Sequence, residues 1–336
     1  MRLLIVDYGS STNYGDKMVG QIVRQSLTNL VPNLIIRQAT PVVDAAAAGF
    51  HQATDAMAPM MVNGIDAALI LGGSIWFGLT IEAARWAWLD QARFPIISWG
   101  GLQHLRECYD QSDLLAPILR RIDHRFCRFA GETNLYSDLG AICEVGGDPL
   151  FLRPRFQGIM GNRLGLSITP PYGPGGCLDF AKMDDVTRFV AEVANTDFPR
   201  VSVLRADARV ASAEQMGILP PVDVVEEDHW IEAHLSSCRM LITTRLHPAV
   251  TALHHGVPTI AVDFSDKLRL LLEGMDLGEL CVDFEDATPA RLHAVYAYIN
   301  EHYDSVVERI HRASDMMRGQ ATSTMKKVAS LIAAHS

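Results

Sequence analysis

The chain lacks any hydrophobic run long enough to cross a membrane. A spanning helix needs about 20 consecutive apolar residues, whereas the 49% hydrophobic content here is distributed in short runs between polar residues. Residues Met1–Asp7 enter a strand pattern directly, without the charged and apolar regions of a signal peptide. We therefore expect a cytoplasmic protein with no membrane span.

An excess of positive charge and paired cysteines are also absent. A formal net charge of -10 disfavours binding to nucleic acid or to an anionic membrane surface. The six cysteines form no CxxC pair, and no His, Cys, Asp or Glu residues have the spacing of a metal site. The sequence thus predicts free thiols in a reducing compartment, no metal, no nucleic-acid partner, and positive charge confined to a local site.

Apolar runs alternate with amphipathic stretches, which is typical of βαβ units with parallel strands. A length of 336 residues exceeds that of most single cores and indicates two domains. We predict an α/β fold with two doubly wound, Rossmann-like domains facing each other across a cleft. Residues 1–155 are assigned to the N-terminal domain, 156–288 to the C-terminal domain and 289–336 to C-terminal helices.

The apolar runs predict five strands in each domain. In the N-terminal domain they lie near residues 2–7, 33–38, 66–71, 95–99 and 142–146, with helices near 16–29, 80–92, 110–121 and 132–139. In the C-terminal domain the predicted strands lie near residues 164–169, 200–204, 221–225, 239–242 and 258–263.

The most informative local pattern follows the predicted strand near residues 239–242. Arg245 and His247 stand between that strand and a helix whose first turn accommodates Pro248. Ligands of open α/β sheets bind at such strand ends. Free N–H groups at the start of the helix, together with a guanidinium that can hold phosphate or carboxylate through two bonds, favour an anion there. A structural arginine and a helix-capping histidine are the alternative.

The same residues resemble the C-terminal signature of the polysaccharide pyruvyl transferase family, an Arg-Leu-His after a hydrophobic strand. Further segments agree with the family in the same order, across residues 1–285. The matching segments are Asn13-Tyr14-Gly15-Asp16, Leu71-Gly72-Gly73-Ser74, Ser137-Asp138-Leu139-Gly140, Asp148-Pro149-Leu150-Phe151, Arg245-Leu246-His247, Gly256-Val257-Pro258 and Phe264-Ser265-Asp266-Lys267.

This resemblance implies a GT-B-like enzyme whose N-terminal domain takes the acceptor and whose C-terminal domain takes the donor. It implies transfer of an enolpyruvyl group from phosphoenolpyruvate to sugar hydroxyls, as a pyruvate ketal, in the synthesis of a cell-surface polysaccharide. The expected partners are an anionic small-molecule donor and a glycan or glycolipid acceptor. Phosphoenolpyruvate would be a substrate, and no cofactor is expected.

The resemblance also suggests roles for individual residues. His247 would be the general acid that protonates the methylene carbon, and Asp16 or Asp148 would orient the attacking hydroxyl. Asp16 equally suits the N-cap of the first helix, and both roles stay open. The expected donor-binding residues are Arg245, Leu246, Lys267, Arg153 and Arg155. The residues expected at the acceptor or cleft are Asn13, Gly15, Gly72, Gly73, Ser74, Gln103 and Asp148.

One position departs from the family pattern. Gly131 stands where family members carry an arginine, directly before the acidic Glu132. If that arginine holds the donor, then Arg128 or the linker pair of Arg153 and Arg155 must substitute, and we favour the linker pair. Otherwise the donor differs, and the chain would be a nucleotide-sugar-dependent GT-B glycosyltransferase or a non-catalytic binding subunit of the same fold. The acceptor sugar, its linkage and any homo-oligomer stay open.

Overall fold

The computed structural model describes residues 1–7, 13–39, 62–72, 86–101, 112–156, 161–171, 183–206 and 210–335. The chain forms two compact units. Unit 1 comprises Met1–Ser11, Asp16–Leu152 and Met317–Ser336, and unit 2 comprises Thr12–Gly15 and Arg153–Met316. The short segment Thr12–Gly15 thus groups with unit 2, and the C-terminal helical segment divides between the units, unlike in the predicted partition of the chain.

Unit 1 contains a six-stranded sheet in the order β2-β1-β3-β4-β5-β6, and its strands pair in parallel. The strands are β1 (Arg2–Val6), β2 (Ile35–Ala39), β3 (Ala67–Leu71), β4 (Ile96–Trp99), β5 (His124–Cys127) and β6 (Glu144–Val145). The described helices are α1 (Tyr14–Leu30), α2 (Trp88–Gln91), α3 (Ser112–Arg120) and α4 (Glu132–Asp138), followed by a 3-10 turn at Pro149–Leu152.

Burial explains why the central strands of unit 1 form. All five residues of β3 are buried, as expected for a parallel strand covered on both faces. Ile70 and Ile96 pack into a cluster with the helical residues Leu115, Leu135 and Tyr136. Coverage on both faces accounts for the continuous apolar sequence of β3.

Unit 2 contains a second six-stranded sheet in the order β12-β11-β10-β7-β8-β9, again with parallel pairing. The strands are β7 (Arg163–Ser167), β8 (Arg200–Leu204), β9 (Val222–Val225), β10 (Met240–Thr243), β11 (Thr259–Asp263) and β12 (Cys281–Asp283). The described helices are α5 (Asp184–Asp197), α6 (Asp228–Ser237), α7 (Leu246–His254), α8 (Lys267–Gly274), α9 (Pro289–Glu301) and α10 (Tyr303–Ala333), which continues into unit 1.

The strand order of unit 2 is that of a Rossmann fold, in which the first and fourth strands are neighbours. Here β7 and β10 fill these positions. From β7 the chain continues to β8 on one side of the pair, and from β10 it continues to β11 on the other side. The carboxyl ends of β7 and β10 therefore form the topological switch point, where ligands of such sheets bind.

The predicted α/β fold with two Rossmann-like domains is confirmed. Each of the ten predicted strands has a counterpart displaced by at most a few residues. Sequence reasoning missed β5, whose first two residues His124 and Arg125 are polar, and the three-residue strand β12. The predicted helix at 80–92 is described only from residue 86, where α2 covers Trp88–Gln91.

The first helix begins earlier than predicted. Tyr14 and Gly15 already belong to α1, and the Gly15 N–H donates a hydrogen bond of 3.0 Å to the Asn13 side-chain oxygen. Asn13 therefore occupies the capping position that the sequence had suggested for Asp16. Asp16 is instead an acidic residue in the first turn.

No helix in the described part of the chain is long and apolar enough to span a membrane. Among the same described residues, no group of three His, Cys, Asp or Glu side chains could hold a metal ion.

Gly100 is a position where a side chain should disrupt unit 1. Its φ is 146°, and a Cβ there would lie 2.7 Å from the backbone of Gly72. We expect Gly100→Ala to lower the free energy of unfolding by about 3 kcal/mol or more, because backbone overlap adds to the unfavourable conformation. Gly140→Ala is the matched control, since Gly140 has a φ of 70° but open space around it. Urea denaturation should show a distinctly smaller loss for the control, and equal losses would contradict the assigned overlap.

Candidate functional site

The switch point of unit 2 is lined by hydroxyl side chains that link β7 to β10. The Ser167 carbonyl accepts hydrogen bonds from the Thr243 hydroxyl, at 2.8 Å, and from the Thr244 N–H, at 3.2 Å. The Thr169 N–H donates to the Thr244 hydroxyl oxygen at 2.7 Å, and the same hydroxyl donates to the Thr169 carbonyl at 2.9 Å. Among the described residues, the buried Thr169 hydroxyl has no hydrogen-bond partner. Sequence reasoning missed these residues, because isolated threonines carry no motif.

Arg245 directly follows this link, at the start of α7. Its backbone is extended, with φ -114° and ψ 131°, and its N–H donates to the Thr243 hydroxyl oxygen at 2.9 Å. The side chain is half-buried. Arg245 is thus the capping residue of a helix whose nine residues are all buried, so its backbone position is fixed by packing. The structure places it at the strand-to-helix turn, as predicted.

His247 is the second residue of α7 and is 9% exposed. Its carbonyl accepts a hydrogen bond of 2.9 Å from the Thr251 hydroxyl one turn later. Leu246, before it, is buried. The imidazole therefore belongs to the first helical turn, where backbone N–H groups and the helix dipole favour a bound anion.

Lys267 occupies the equivalent position after the neighbouring strand. It is the first residue of α8, and β11 pairs with β10. The Asp263 carboxylate accepts hydrogen bonds of 3.0 Å from the Ser265 and Arg269 N–H groups, which orders the turn. Burial raises the pKa of that Asp263 carboxyl. Arg245 and Lys267 therefore stand at the starts of two helices that follow adjacent strands. Adjacent strands are about 5 Å apart in such a sheet.

The Asn-Tyr-Gly segment near the N-terminus meets this site within unit 2. Tyr14 is fully buried, and its N–H donates to the Ala206 carbonyl at 2.9 Å. A Cβ on Gly15 would overlap the Cγ and Nδ1 atoms of His247. The structure thus brings together two motifs that are far apart in the sequence.

The two linker arginines hold structural partners in unit 2. The Arg153 guanidinium forms an ion pair with the buried Glu232, and it donates to the Tyr14 hydroxyl at 3.3 Å. The Arg155 Nε donates to the His254 carbonyl at 2.9 Å, and its Nη2 lies 2.9 Å from Asp315. These contacts give both arginines a structural role. Their expected role in binding the donor substrate stays a prediction.

Sequence reasoning missed Glu232 and its partner His255. The His255 Nε2 lies 3.1 Å from the Glu232 carboxylate, and both side chains are almost completely buried. Neither residue lies in a motif. Only the tertiary structure shows that Glu232 and His255 belong to the same set of polar contacts as Arg153.

Asp148 and Arg128 lie in a buried ionic cluster of unit 1. The Arg128 guanidinium is 3.7 Å from Glu132 and 3.8 Å from Asp148, and all three side chains are at most 3% exposed. The Glu132 carboxylate accepts hydrogen bonds from the Arg128 and Phe129 N–H groups, at 2.8 and 3.2 Å. Burial raises the pKa of both carboxyls, while the adjacent guanidinium opposes that rise.

The remaining predicted residues are placed as follows. Gly131 is exposed at the start of α4. Gly72 directly follows β3 and has a φ of 90°, and Asp16 is half-buried in α1. Gly73, Ser74 and Gln103 lie outside the described residues.

Comparison with known proteins adds to this geometry. Residues 229–266, which contain the Arg-Leu-His turn, match the sequence model of the polysaccharide pyruvyl transferase family. The resemblance to that family is confirmed. The amylovoran biosynthesis protein AmsJ of Erwinia amylovora is 24% identical over 84 residues, which is 25% of this chain and 20% of AmsJ. The alignment thus spans about a fifth of that relative.

Solved structures support the GT-B-like fold. The UDP complex of S. aureus MnaA has a TM-score of 0.59 at 11% identity, covering 94% of this chain and 91% of that chain. The glycotransferase of kitacinnamycin has a TM-score of 0.59 at 14% identity, covering 99% and 98%. The glycosyltransferase SnogD of Streptomyces nogalater has a TM-score of 0.54 at 16% identity, covering 100% and 99%. At such identities the likeness shows the fold alone.

The ion pair between Arg153 and Glu232 gives a stability prediction. Arg153→Met should lower the free energy of unfolding by about 3 kcal/mol or more, because it removes the guanidinium that is paired with the buried Glu232 carboxylate. Arg155→Met is the control, since its carboxylate partner Asp315 is 65% exposed and its loss should cost about 1 kcal/mol. Chemical denaturation measures both variants. Comparable losses would show that Arg153 has no special structural role.

Proposed function

We propose that the chain transfers an enolpyruvyl group from phosphoenolpyruvate to two hydroxyls of a sugar, forming a pyruvate ketal in a cell-surface polysaccharide. The observation that carries this proposal is the position of Arg245 and His247. Both lie at the switch point of the unit 2 sheet, within the segment that matches the pyruvyl transferase family. The relative AmsJ, named for amylovoran biosynthesis, supports a polysaccharide as the product class.

The donor would be held as an anion at the carboxyl edge of this sheet. Phosphoenolpyruvate carries a carboxylate and a phosphate, and Arg245 and Lys267 supply positive charge after two adjacent strands. A guanidinium can bind either group through two parallel hydrogen bonds. The N–H groups in the first turn of α7 add partial positive charge. A chain with a net charge of -10 thereby has a local site for a small anion.

The chemistry needs a proton donor, and His247 fits this role. Its imidazolium would give a proton to the methylene carbon, which becomes a methyl group as C2 takes on oxocarbenium character. One sugar hydroxyl attacks C2, the bond from C2 to the phosphate oxygen breaks, and the second hydroxyl closes the ketal ring. The two hydroxyl protons pass to a base, for which Asp16 and Asp148 are the sequence-based candidates, and to the departing phosphate. The products are the ketal and free phosphate.

A nucleotide-sugar glycosyltransferase is the second candidate, because Gly131 replaces the arginine expected in the family. A nucleotide diphosphate would use the same arginine and helix N-terminus. Incubation with phosphoenolpyruvate or with UDP-sugars should raise the melting temperature only for the true donor class. Stabilisation by UDP-sugars alone would favour the glycosyltransferase, and stabilisation by neither would favour a non-catalytic subunit.

Substitution of Arg245 tests the donor site. We expect Arg245→Lys to lower kcat/KM about 10- to 100-fold although the charge is kept, because an ammonium group cannot reproduce two parallel hydrogen bonds. Release of inorganic phosphate from phosphoenolpyruvate in the presence of acceptor measures the effect. Arg312→Lys is the matched control, since the Arg312 side chain is 69% exposed. Unchanged turnover and unchanged donor affinity in Arg245→Lys would remove Arg245 from the site.

Substitution of His247 tests the proton donor. His247→Asn should keep the fold and most of the donor affinity while lowering kcat by roughly 100-fold or more. The exposed His302 provides the control variant His302→Asn. Loss of the folded state would instead indicate a structural histidine. Weak donor binding with normal turnover at saturation would make His247 a binding residue.

A further inference from the structure

Gly15 and His247 are in closer contact than any side chain on Gly15 would allow. A Cβ built on Gly15 would overlap three atoms of His247, namely Cγ, Nδ1 and Cβ. Real Cβ atoms do not approach other atoms so closely, so the imidazole occupies the space of the missing side chain. Nδ1 is also the ring nitrogen nearer to Gly15, because Nε2 is not among the three closest atoms.

The residue next to Gly15 fixes the backbone at this contact. Tyr14 is completely buried, and its N–H donates to the Ala206 carbonyl at 2.9 Å. Its hydroxyl lies 3.5 Å from the Thr251 hydroxyl and accepts a hydrogen bond of 3.3 Å from Arg153. Thr251 in turn donates to the His247 carbonyl at 2.9 Å. Tyr14 thereby contacts α7 at Thr251, one turn after His247.

Helix propensity gives no reason for glycine at this position. Gly15 is the second residue of α1, and intrinsic helix propensity does not favour glycine over alanine. Its backbone is also not among those with positive φ, so no left-handed conformation requires it. Within the described structure, the overlap with His247 is the feature that accounts for the absence of a side chain.

We propose that Gly15 is a positioning residue for His247, with the first turn of α1 acting as a backbone surface that holds the imidazole in one orientation. This inference rests on the proposed function, in which His247 delivers a proton to a carbon atom. Such a transfer is sensitive to the position of the acid, and a displacement of about 1 Å can reduce the rate roughly 100-fold. Gly15 thereby acts on the reaction through His247, a residue far from it in the sequence.

The first test is a double-substitution cycle that needs no substrate. Gly15→Ala alone should lower the melting temperature, whereas in a His247→Ala background the same change should be neutral or stabilising, because the overlap is gone and helix propensity improves. If the single variant does not fold at all, recovery of the fold in the double variant gives the same answer. Equal effects of Gly15→Ala in both backgrounds would overturn the contact.

The second test asks whether the contact positions the imidazole for catalysis. The His247 ring signals in an NMR pH titration, assigned by their loss in His247→Asn, should move in Gly15→Ala. Turnover should show kcat lowered roughly 100-fold with little change in the KM for phosphoenolpyruvate. In the His247→Asn background, Gly15→Ala should lower kcat no further. Gly319→Ala, in open space within α10, should leave ring signals and turnover unchanged.

These readouts separate the positioning role from the proposed reaction. If wild-type protein does not turn over phosphoenolpyruvate, the proposed function fails, while the NMR signals and the stability cycle still report on the contact. If wild-type protein turns over phosphoenolpyruvate and Gly15→Ala retains normal kcat with unshifted ring signals, the positioning role is wrong and the proposed function stands.

Discussion

The parallel pairing of β7 with β10 is the constraint on which the candidate site depends. It aligns Ser167 with Thr243, and the hydroxyls of Thr243 and Thr244 then tie the two strand ends together beyond the last strand pair. The chain leaves these strands toward opposite halves of the sheet, which makes their carboxyl ends the switch point. Arg245 and His247 lie at that point because α7 begins directly after β10. Without this pairing, the same residues would lie on an ordinary strand-to-helix turn.

Burial of α7 makes the site rigid. Every residue of the helix is buried, so its start cannot move without disturbing the core of unit 2. A site that binds a small anion and transfers a proton gains from this rigidity, since dipoles and donors fixed in advance need no reorganisation during the reaction. Arg153 adds to this rigidity. It pairs with Glu232 and donates a hydrogen bond to the Tyr14 hydroxyl, so the chain directly after Leu152 is held within unit 2.

The arginines outside the switch point lie next to carboxylates of the protein itself. Arg153 and Arg155 both have carboxylate partners within unit 2. Arg128 in unit 1 lies between two buried carboxylates, yet its Nε and Nη2 form no hydrogen bond with any residue that the structure describes. Its long distances to Glu132 and Asp148 indicate a compensated buried charge more than a set of strong bonds.

The sequence by itself determined the α/β class, most strand positions and the placement of Arg245, His247 and Lys267 at strand ends, because hydrophobic period and helix start signals are local. It did not reveal β5, which begins with the polar residues His124 and Arg125, or the three-residue strand β12. Only the tertiary structure decided that β7 lies beside β10, that Gly15 lies against His247, and that Arg153 pairs with Glu232. The physical reason is that backbone hydrogen bonds between strands are nearly the same for any sequence. Which strands pair, and which distant side chains then meet, depends on how the whole core buries its apolar surface.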